Sequence, residues 1–265
     1  MAHGFLAVDA GNTRLKATWL PEAGEPEVCY FGADAHEELL GLIERRQPEG
    51  GAMASVGHTD TRLVESLRIA LEGNFMLLTP ETKLPIGVTY DNPRTLGIDR
   101  KTTAVAAAAG WPESRCLVVD AGTALTCDVV AAGVFMEGSI SPGLRMRFRA
   151  LHEFTALLPE IMVSSDDGPV PAFGRSTCES IRTGVVRGYM DEVCGAISGR
   201  GHNGSGITVA LVTGGDAPMI MRHIERIRHC EGRYAEEFSE IEIVYDPYLL
   251  AKGLRAIYRH NENEI

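Results

Sequence analysis

The sequence predicts an α/β protein assembled from two similar halves, and three observations carry that prediction. The segment FLAVDAGNTRLKATW, starting at Phe5, returns as CLVVDAGTALTCDVV, starting at Cys116. Strand-length apolar runs alternate with stretches of helical spacing along the chain. Pro112 punctuates the stretch Trp111–Arg115, directly before the second copy. Duplicated units define an architecture ahead of local detail, so the halves are expected at 1–114 and 115–265.

Taken in order, Phe5 to Val8 is an apolar run that stops at Asp9-Ala10-Gly11-Asn12-Thr13, and Arg14 to Leu20 follows at once. Glycine and asparagine supply turn geometry between flanks that favour β structure, so strand, tight turn, strand is expected. His36 to Arg46 spaces Leu39, Leu40, Leu42 and Ile43 as a helix that ends before Pro48. Met53 to Val56 reads as a strand, Thr61 to Leu71 as an amphipathic helix, and Asp99 to Ala109 as an alanine-rich helix broken by Gly110. In the second half, Leu117-Val118-Val119 runs into Asp120-Ala121-Gly122-Thr123, and Ala124 to Val130 leads out. Arg147 to Leu158 and Ser176 to Ile197 are long helices, and glycine-rich Gly199 to Gly206 is a loop. Val209 to Val212 is a strand meeting Thr213-Gly214-Gly215-Asp216-Ala217, after which Met219 to Arg228 and Leu249 to Tyr258 read as helices.

At 265 residues, either one large domain or two moderate ones can bury a substantial core. A formal charge of −11 argues against broad nucleic-acid binding, which needs a basic face to displace counterions. It leaves phosphate binding open, because a few backbone N–H groups and a metal ion suffice. Cys29, Cys116, Cys127, Cys178, Cys194 and Cys230 are scattered, form no CxxC pair and meet no histidine cluster that would complete a zinc pattern. Reduced, structural thiols are expected. The opening residues lack a basic segment followed by a long apolar one, and no apolar run reaches membrane-spanning length. A cytoplasmic protein without membrane contact is expected.

Four constellations carry chemistry. In Asp9-Ala10-Gly11-Asn12-Thr13, with Lys16 beyond, a glycine turn lets backbone N–H groups approach phosphate oxygens. The Asp9 carboxylate fits there only with Mg²⁺ or water between it and phosphate. An ordinary hairpin turn uses the same residues. The second copy shifts the balance, because two acidic turns can bracket a polyphosphate. On its outgoing strand alternation puts Ala124, Thr126 and Asp128 on one face, where Asp128 could be a solvated strand end. Thr213-Gly214-Gly215-Asp216-Ala217 is either a plain strand–helix connection or a backbone surface on which a flat adenine–ribose unit could lie. Gly97-Ile98-Asp99-Arg100 opens the alanine-rich helix. Asp99 is there either a cap or a general base for a substrate hydroxyl, with Arg100 pairing an anionic group.

Together these motifs resemble the type III pantothenate kinases of the acetate and sugar kinase, Hsp70 and actin superfamily. The resemblance covers nearly the whole chain. It runs through Asp9-Ala10-Gly11-Asn12-Thr13 with Lys16, Tyr90 and Pro93 ahead of Gly97-Ile98-Asp99-Arg100, and Asp120-Ala121-Gly122-Thr123-Ala124-Leu125-Thr126. It continues through Ile140-Ser141-Pro142-Gly143, Ser176-Thr177 and Thr213-Gly214-Gly215-Asp216-Ala217.

The resemblance implies two duplicated ribonuclease-H-like domains of the actin-like ATPase type, with ATP in an interdomain cleft. It implies transfer of the γ-phosphate to the terminal hydroxyl of pantothenate, the first step of coenzyme A synthesis. By motif, Asp9, Ala10, Gly11, Asn12, Thr13, Arg14, Leu15 and Lys16 hold ATP phosphates, and Thr123 touches ATP. Asp99 is the base, and Tyr90, Gly97, Ile98, Asp99 and Arg100 contact pantothenate. Asp120 takes a monovalent cation, K⁺ or NH₄⁺, beside the Mg²⁺ of the nucleotide. The family's homodimer brings Thr177 to pantothenate from the neighbouring subunit. Two stretches depart from the family pattern: Glu137-Gly138 stands where a Gly-Gly pair is usual, and Ser55-Val56-Gly57-His58 lacks the usual apolar-proline ending. A catalytically idle regulatory relative, or a kinase of another hydroxy acid or sugar, are the competing readings.

Overall fold

The computed structural model describes residues 4–11, 15–32, 36–55, 60–162, 168–199, 206–229 and 234–262. Asn12, Thr13 and Arg14 of the first turn, 56–58 of the family departure, Cys230 and most of the loop expected at 199–206 lie outside the described residues. The chain divides into two compact units, one of Met1–Pro112, Ala132–Met136 and Tyr248–Ile265, the other of Glu113–Ala131 and Glu137–Pro247.

The first unit begins with β1 (Gly4–Ala10), β2 (Leu15–Pro21), β3 (Glu27–Phe31), α1 (His36–Arg46), β4 (Gly50–Ser55), α2 (Thr61–Ala70) and β5 (Phe75–Leu77). Then come β6 (Gly87–Val88) and α3 (Ile98–Gly110). Its sheet takes the order β3-β2-β1-β4-β5, with β1 antiparallel to β2 and parallel to β4. Alternation along β1 sends Leu6 and Val8 into a core with Leu39, Leu42 and Ile43 of α1 and Leu63, Val64 and Leu67 of α2. Phe5 and Ala7 face the other way, into a core shared with Val105 of α3. The Asp60 carboxylate caps α2 by accepting the Arg62 N–H at 2.9 Å.

The second unit holds β7 (Arg115–Ala121), β8 (Ala124–Ala131), most of β9 (Val134–Pro142), α4 (Leu144–Glu153), α5 (Thr177–Ile197), β10 (Val209–Thr213), α6 (Ala217–Arg228), α7 (Ala235–Ser239) and β11 (Glu242–Tyr245). Strands β11-β10-β7-β8-β9 lie side by side, β7 antiparallel to β8 and parallel to β10. Leu117, Val119 and Ala121 of β7 meet Tyr189 and Val193 of α5 and Ile220 and Ile224 of α6 in one apolar cluster. The last helix, α8 (Leu249–Asn261), belongs to the first unit, where Leu254, Ile257 and Tyr258 complete the core around Phe5 and Ala7. The start of β9 also falls in the first unit, its Val134 and Phe135 pairing in parallel with Gly87 and Val88.

Both expected hairpins form. The first closes with Ala10 opposite Leu15 and the second with Ala121 opposite Leu125, so the second turn is shorter by the residue that matches Asn12. The helix expected from Arg147 starts earlier, at Leu144, because Gly143 ends β9 and stands at its N-cap. It stops at Glu153, where the Thr155 hydroxyl donates to the Leu151 carbonyl at 2.6 Å and competes with the helical ladder. Asp128 is not a solvated strand end: it is fully buried mid-strand opposite Val118. No described helix is long and apolar enough to cross a membrane.

Candidate active site

In the first unit the strand register sets Asp9 directly across from Lys16. Burial pushes the Asp9 carboxyl up to about 6, against the partly compensating Lys16 ammonium and with a further upward push from Asp99. Asp9, Lys16 and Asp99 therefore share one electrostatic neighbourhood, although Asp99 comes from the start of α3. Gly11 is exposed beside them.

The bland capping role for Asp99 is only partly realised. The N-cap of α3 is Gly97, which has no side chain to offer, and Asp99 sits at the second helical position. One carboxylate oxygen, Oδ1, accepts the Arg100 N–H at 2.8 Å. A Cβ on Gly97 would stand 2.4 Å from that same oxygen, so only glycine leaves room for the carboxylate in this place. Ile98 packs against the apolar core, and its carbonyl accepts the Thr102 hydroxyl at 2.6 Å.

Arg100 is 5% exposed, its guanidinium 5.8 Å from the Tyr90 ring centre and 5.5 Å from that of Phe135. The two rings meet edge to face at 5.9 Å. Two of the expected substrate residues, Tyr90 and Arg100, are thus in contact, with the cation held over aromatic faces. Phe135 was missed by sequence reasoning. Its only signal was the apolar pair Val134-Phe135 after a Gly133 turn, which does not say what it will pack on.

In the second unit Asp120 pairs across the hairpin with Thr126, and the Gly122 N–H donates to the Ala124 carbonyl at 3.0 Å to close the turn. Asp120 and Thr126 are half-buried and Thr123 is exposed. Gly214, with φ at +93°, is pressed against this turn: a Cβ there would lie 2.5 Å from the Ala121 carbonyl oxygen, and the Asp216 N–H donates to that carbonyl at 2.9 Å. The first glycine of the Gly-Gly pair thus serves the chain's own backbone, as the strand–helix connection among the two readings requires. Among the described residues, nothing stands within 4 Å of a Cβ on Gly215. Thr177 is exposed in the first turn of α5, behind a Ser176 cap whose hydroxyl accepts the Glu179 N–H at 3.2 Å. Glu137, the departure from the family glycine, pairs with Arg115 at 3.5 Å.

Among the described residues no three His, Cys, Asp or Glu side chains converge on a metal-sized point. Mg²⁺ needs no such cluster, since it is held by one or two carboxylates with phosphate oxygens and water. Asp9 fits such a role, since a carboxyl raised by burial gains most from a nearby cation. The Asp120 Oδ1 folds over its own turn, 3.7 Å from where a Cβ on Gly122 would stand.

The raised Asp9 carboxyl has a thermodynamic consequence. Between the usual 3.8 and about 6 the folded chain binds more protons than the unfolded one, so the Asp9 contribution lowers stability as pH rises through that window and is fully unfavourable above it. Asp9→Asn is expected to have a higher Tm than the parent at pH 7.5 without ligand. The gap should close towards pH 4, while Mg·ATP stabilises the parent far more than the variant. Thermal melts across pH check this, and equal Tm values at pH 7.5 would reject it.

A family model described as type III pantothenate kinase matches residues 5–199. A protein named type III pantothenate kinase from Porphyromonas gingivalis is 36% identical over 257 residues, covering 97% of this chain and 98% of its own. Among solved structures, a Campylobacter jejuni protein titled a Baf-family transcriptional activator superposes with TM-score 0.57 at 21% identity, over 97% of this chain and 99% of that one. One from Sinorhizobium meliloti titled a 2-dehydro-3-deoxygalactonokinase gives 0.53 at 14%, over 98% of each chain. These likenesses show a two-domain ribonuclease-H-like α/β fold.

Proposed function

We infer the chemistry of this site from one premise: the chain belongs to the type III pantothenate kinase family. It is a phosphotransferase with an alcohol group as acceptor, catalysing the ATP-dependent phosphorylation of pantothenate in coenzyme A biosynthesis. The observation that carries the residue assignment is the grouping of Asp9, Lys16 and Asp99 beside an Arg100 held on Tyr90.

Phosphoryl transfer asks the protein mainly for positioning and charge neutralisation. Asp9 to Lys16 hold the ATP phosphates, Lys16 by its charge and the turn by its N–H groups, and Thr123 adds a hydroxyl to the nucleotide. Mg²⁺, when bound, offsets phosphate charge next to Asp9. Asp99 accepts the proton of the pantothenate hydroxyl through the carboxylate oxygen that the Arg100 N–H does not occupy. Arg100 pairs the pantothenate carboxylate, its plane fixed by the Tyr90 and Phe135 rings, while Gly97 and Ile98 shape the floor under the acceptor. A homodimer brings Thr177 to the acceptor of the neighbouring subunit, and the enzyme works in the cytoplasm. The two acidic turns, one in each repeat, mark the duplicated elements of this architecture.

Asp120 holds K⁺ or NH₄⁺. Turnover is therefore expected to be several-fold higher in KCl than in NaCl at equal ionic strength, and equal rates would remove the cation from this turn. The central test is ADP release in potassium buffer with pantothenate and a panel of other hydroxy acids and sugars. Turnover confined to pantothenate supports the reading. A preference for another acceptor, or no ADP release at all, overturns it.

A further inference from the structure

The motif Ser141-Pro142-Gly143 has no part in the roles assigned so far, yet it leans directly on the second acidic turn. A Cβ on Gly143 would stand 2.2 Å from the Gly122 carbonyl oxygen and 2.5 Å from that of Thr123. The Gly143 N–H donates to the Thr123 carbonyl at 3.1 Å. With Gly214 pressed on Ala121 from another piece of chain, the turn is gripped through its carbonyls by two glycines. Its own N–H groups and the Thr123 hydroxyl decide what it can bind.

One side chain holds Ser141-Pro142-Gly143 against that turn. The Arg147 guanidinium donates from Nε to the Pro142 carbonyl at 2.8 Å and from Nη2 to the Ser141 hydroxyl at 3.0 Å. The same Nη2 pairs with Glu192 on α5. Its plane lies over the ring of Tyr189, centre 5.1 Å away, and that ring is fully buried. An exposed ion pair contributes little, but Arg147 is only 20% exposed and is fixed by a carbonyl, a hydroxyl, a carboxylate and an aromatic face at once. A planar fork can satisfy that set; the point charge of a lysine cannot.

We propose that Arg147 is a positioning residue for nucleotide binding, locking Ser141-Pro142-Gly143 onto the Asp120–Thr123 turn through the Glu192 and Tyr189 platform of α5. The proposal rests on Thr123 serving ATP. Removing the clamp frees the loop to recoil by a fraction of an ångström and misplaces the turn, leaving the Tyr90–Arg100 acceptor site untouched.

The test compares Arg147→Ala, Arg147→Lys, Glu192→Gln and Ser141→Ala with the parent, measuring KM for each substrate and, separately, Mg·ATP affinity without pantothenate. Arg147→Ala is expected to raise the ATP KM about tenfold, the scale of one lost charged hydrogen bond, with the pantothenate KM unchanged. Millimolar guanidinium should restore part of the ATP affinity. Arg147→Lys and Glu192→Gln should fall between parent and alanine variant. An unchanged ATP KM, or equal rises in both KM values without guanidinium rescue, overturns the proposal. If Arg147→Ala does not fold, Arg147→Lys and Ser141→Ala decide: parental ATP affinity in both overturns it. Parental protein that binds Mg·ATP but does not turn over pantothenate would sink the kinase reading instead, and the affinity comparison would still judge the clamp.

Discussion

Asp99→Asn is expected to lower kcat for pantothenate phosphorylation by roughly 10²- to 10⁴-fold, the usual contribution of a positioned general base, while fold and ATP affinity persist. The reasoning is local. Asparagine has the same shape, and its amide oxygen can take the place of Oδ1, which accepts the Arg100 N–H at 2.8 Å. The start of α3 and its fit over Gly97 are thereby preserved, as is the seat of Arg100 on its two rings. The other carboxylate oxygen becomes an amide N–H₂, which donates and cannot take the proton of the attacking hydroxyl. A second readout follows from the neighbourhood: loss of the Asp99 charge removes one upward push on the Asp9 carboxyl, which should ionise at lower pH in the variant. A kcat within about threefold of the parent would exclude Asp99 as the base.

Gly253→Ala should lower Tm by roughly 5 °C, corresponding to overpacking of about 1–3 kcal/mol. A Cβ at this position would lie 2.0 Å from the Thr102 carbonyl oxygen and 2.8 Å from its carbon, so α8 and α3 meet backbone to backbone. Alanine is the better helix former by about 1 kcal/mol, which acts against the clash. The clash wins because the partner is a helical carbonyl of fully buried Thr102, which cannot swing aside. Activity should fall as well, since α3 carries Asp99 and Arg100. Gly188→Ala on α5 is the control: it is exposed, no described residue stands within 4 Å of a Cβ there, and helix propensity alone predicts a small rise in Tm. Calorimetry on both variants decides, and an unchanged Tm for Gly253→Ala would mean α8 does not dock as described.

Much of the site was legible from residues alone because its signals are local. An apolar run, Asp-Ala-Gly and a second apolar run specify a hairpin whatever surrounds them, and both copies form one with the acid at the strand end. Gly97-Ile98-Asp99-Arg100 likewise announces a helix start, though not that Gly97 would be the cap and Asp99 would fold back over it. The Gly214-Gly215 pair left two readings open, because two glycines permit close approach of anything, and here the first accepts the chain's own Ala121.

What the sequence determined by itself was the α/β alternation, the duplicated turns, the acidic and basic residues at them, and through these the family. What only the tertiary structure decided was which distant surfaces cover which faces. It returned α8 to the first unit, set Phe135 beside Arg100, and brought Gly143 and Arg147 to the second turn. The physical reason is that periodicity marks a face as apolar without naming its cover. Closing a longer loop costs only slightly more than closing a shorter one, so segments far apart in the chain compete for the same surface almost equally. Side-chain shape in the packed interior settles that competition.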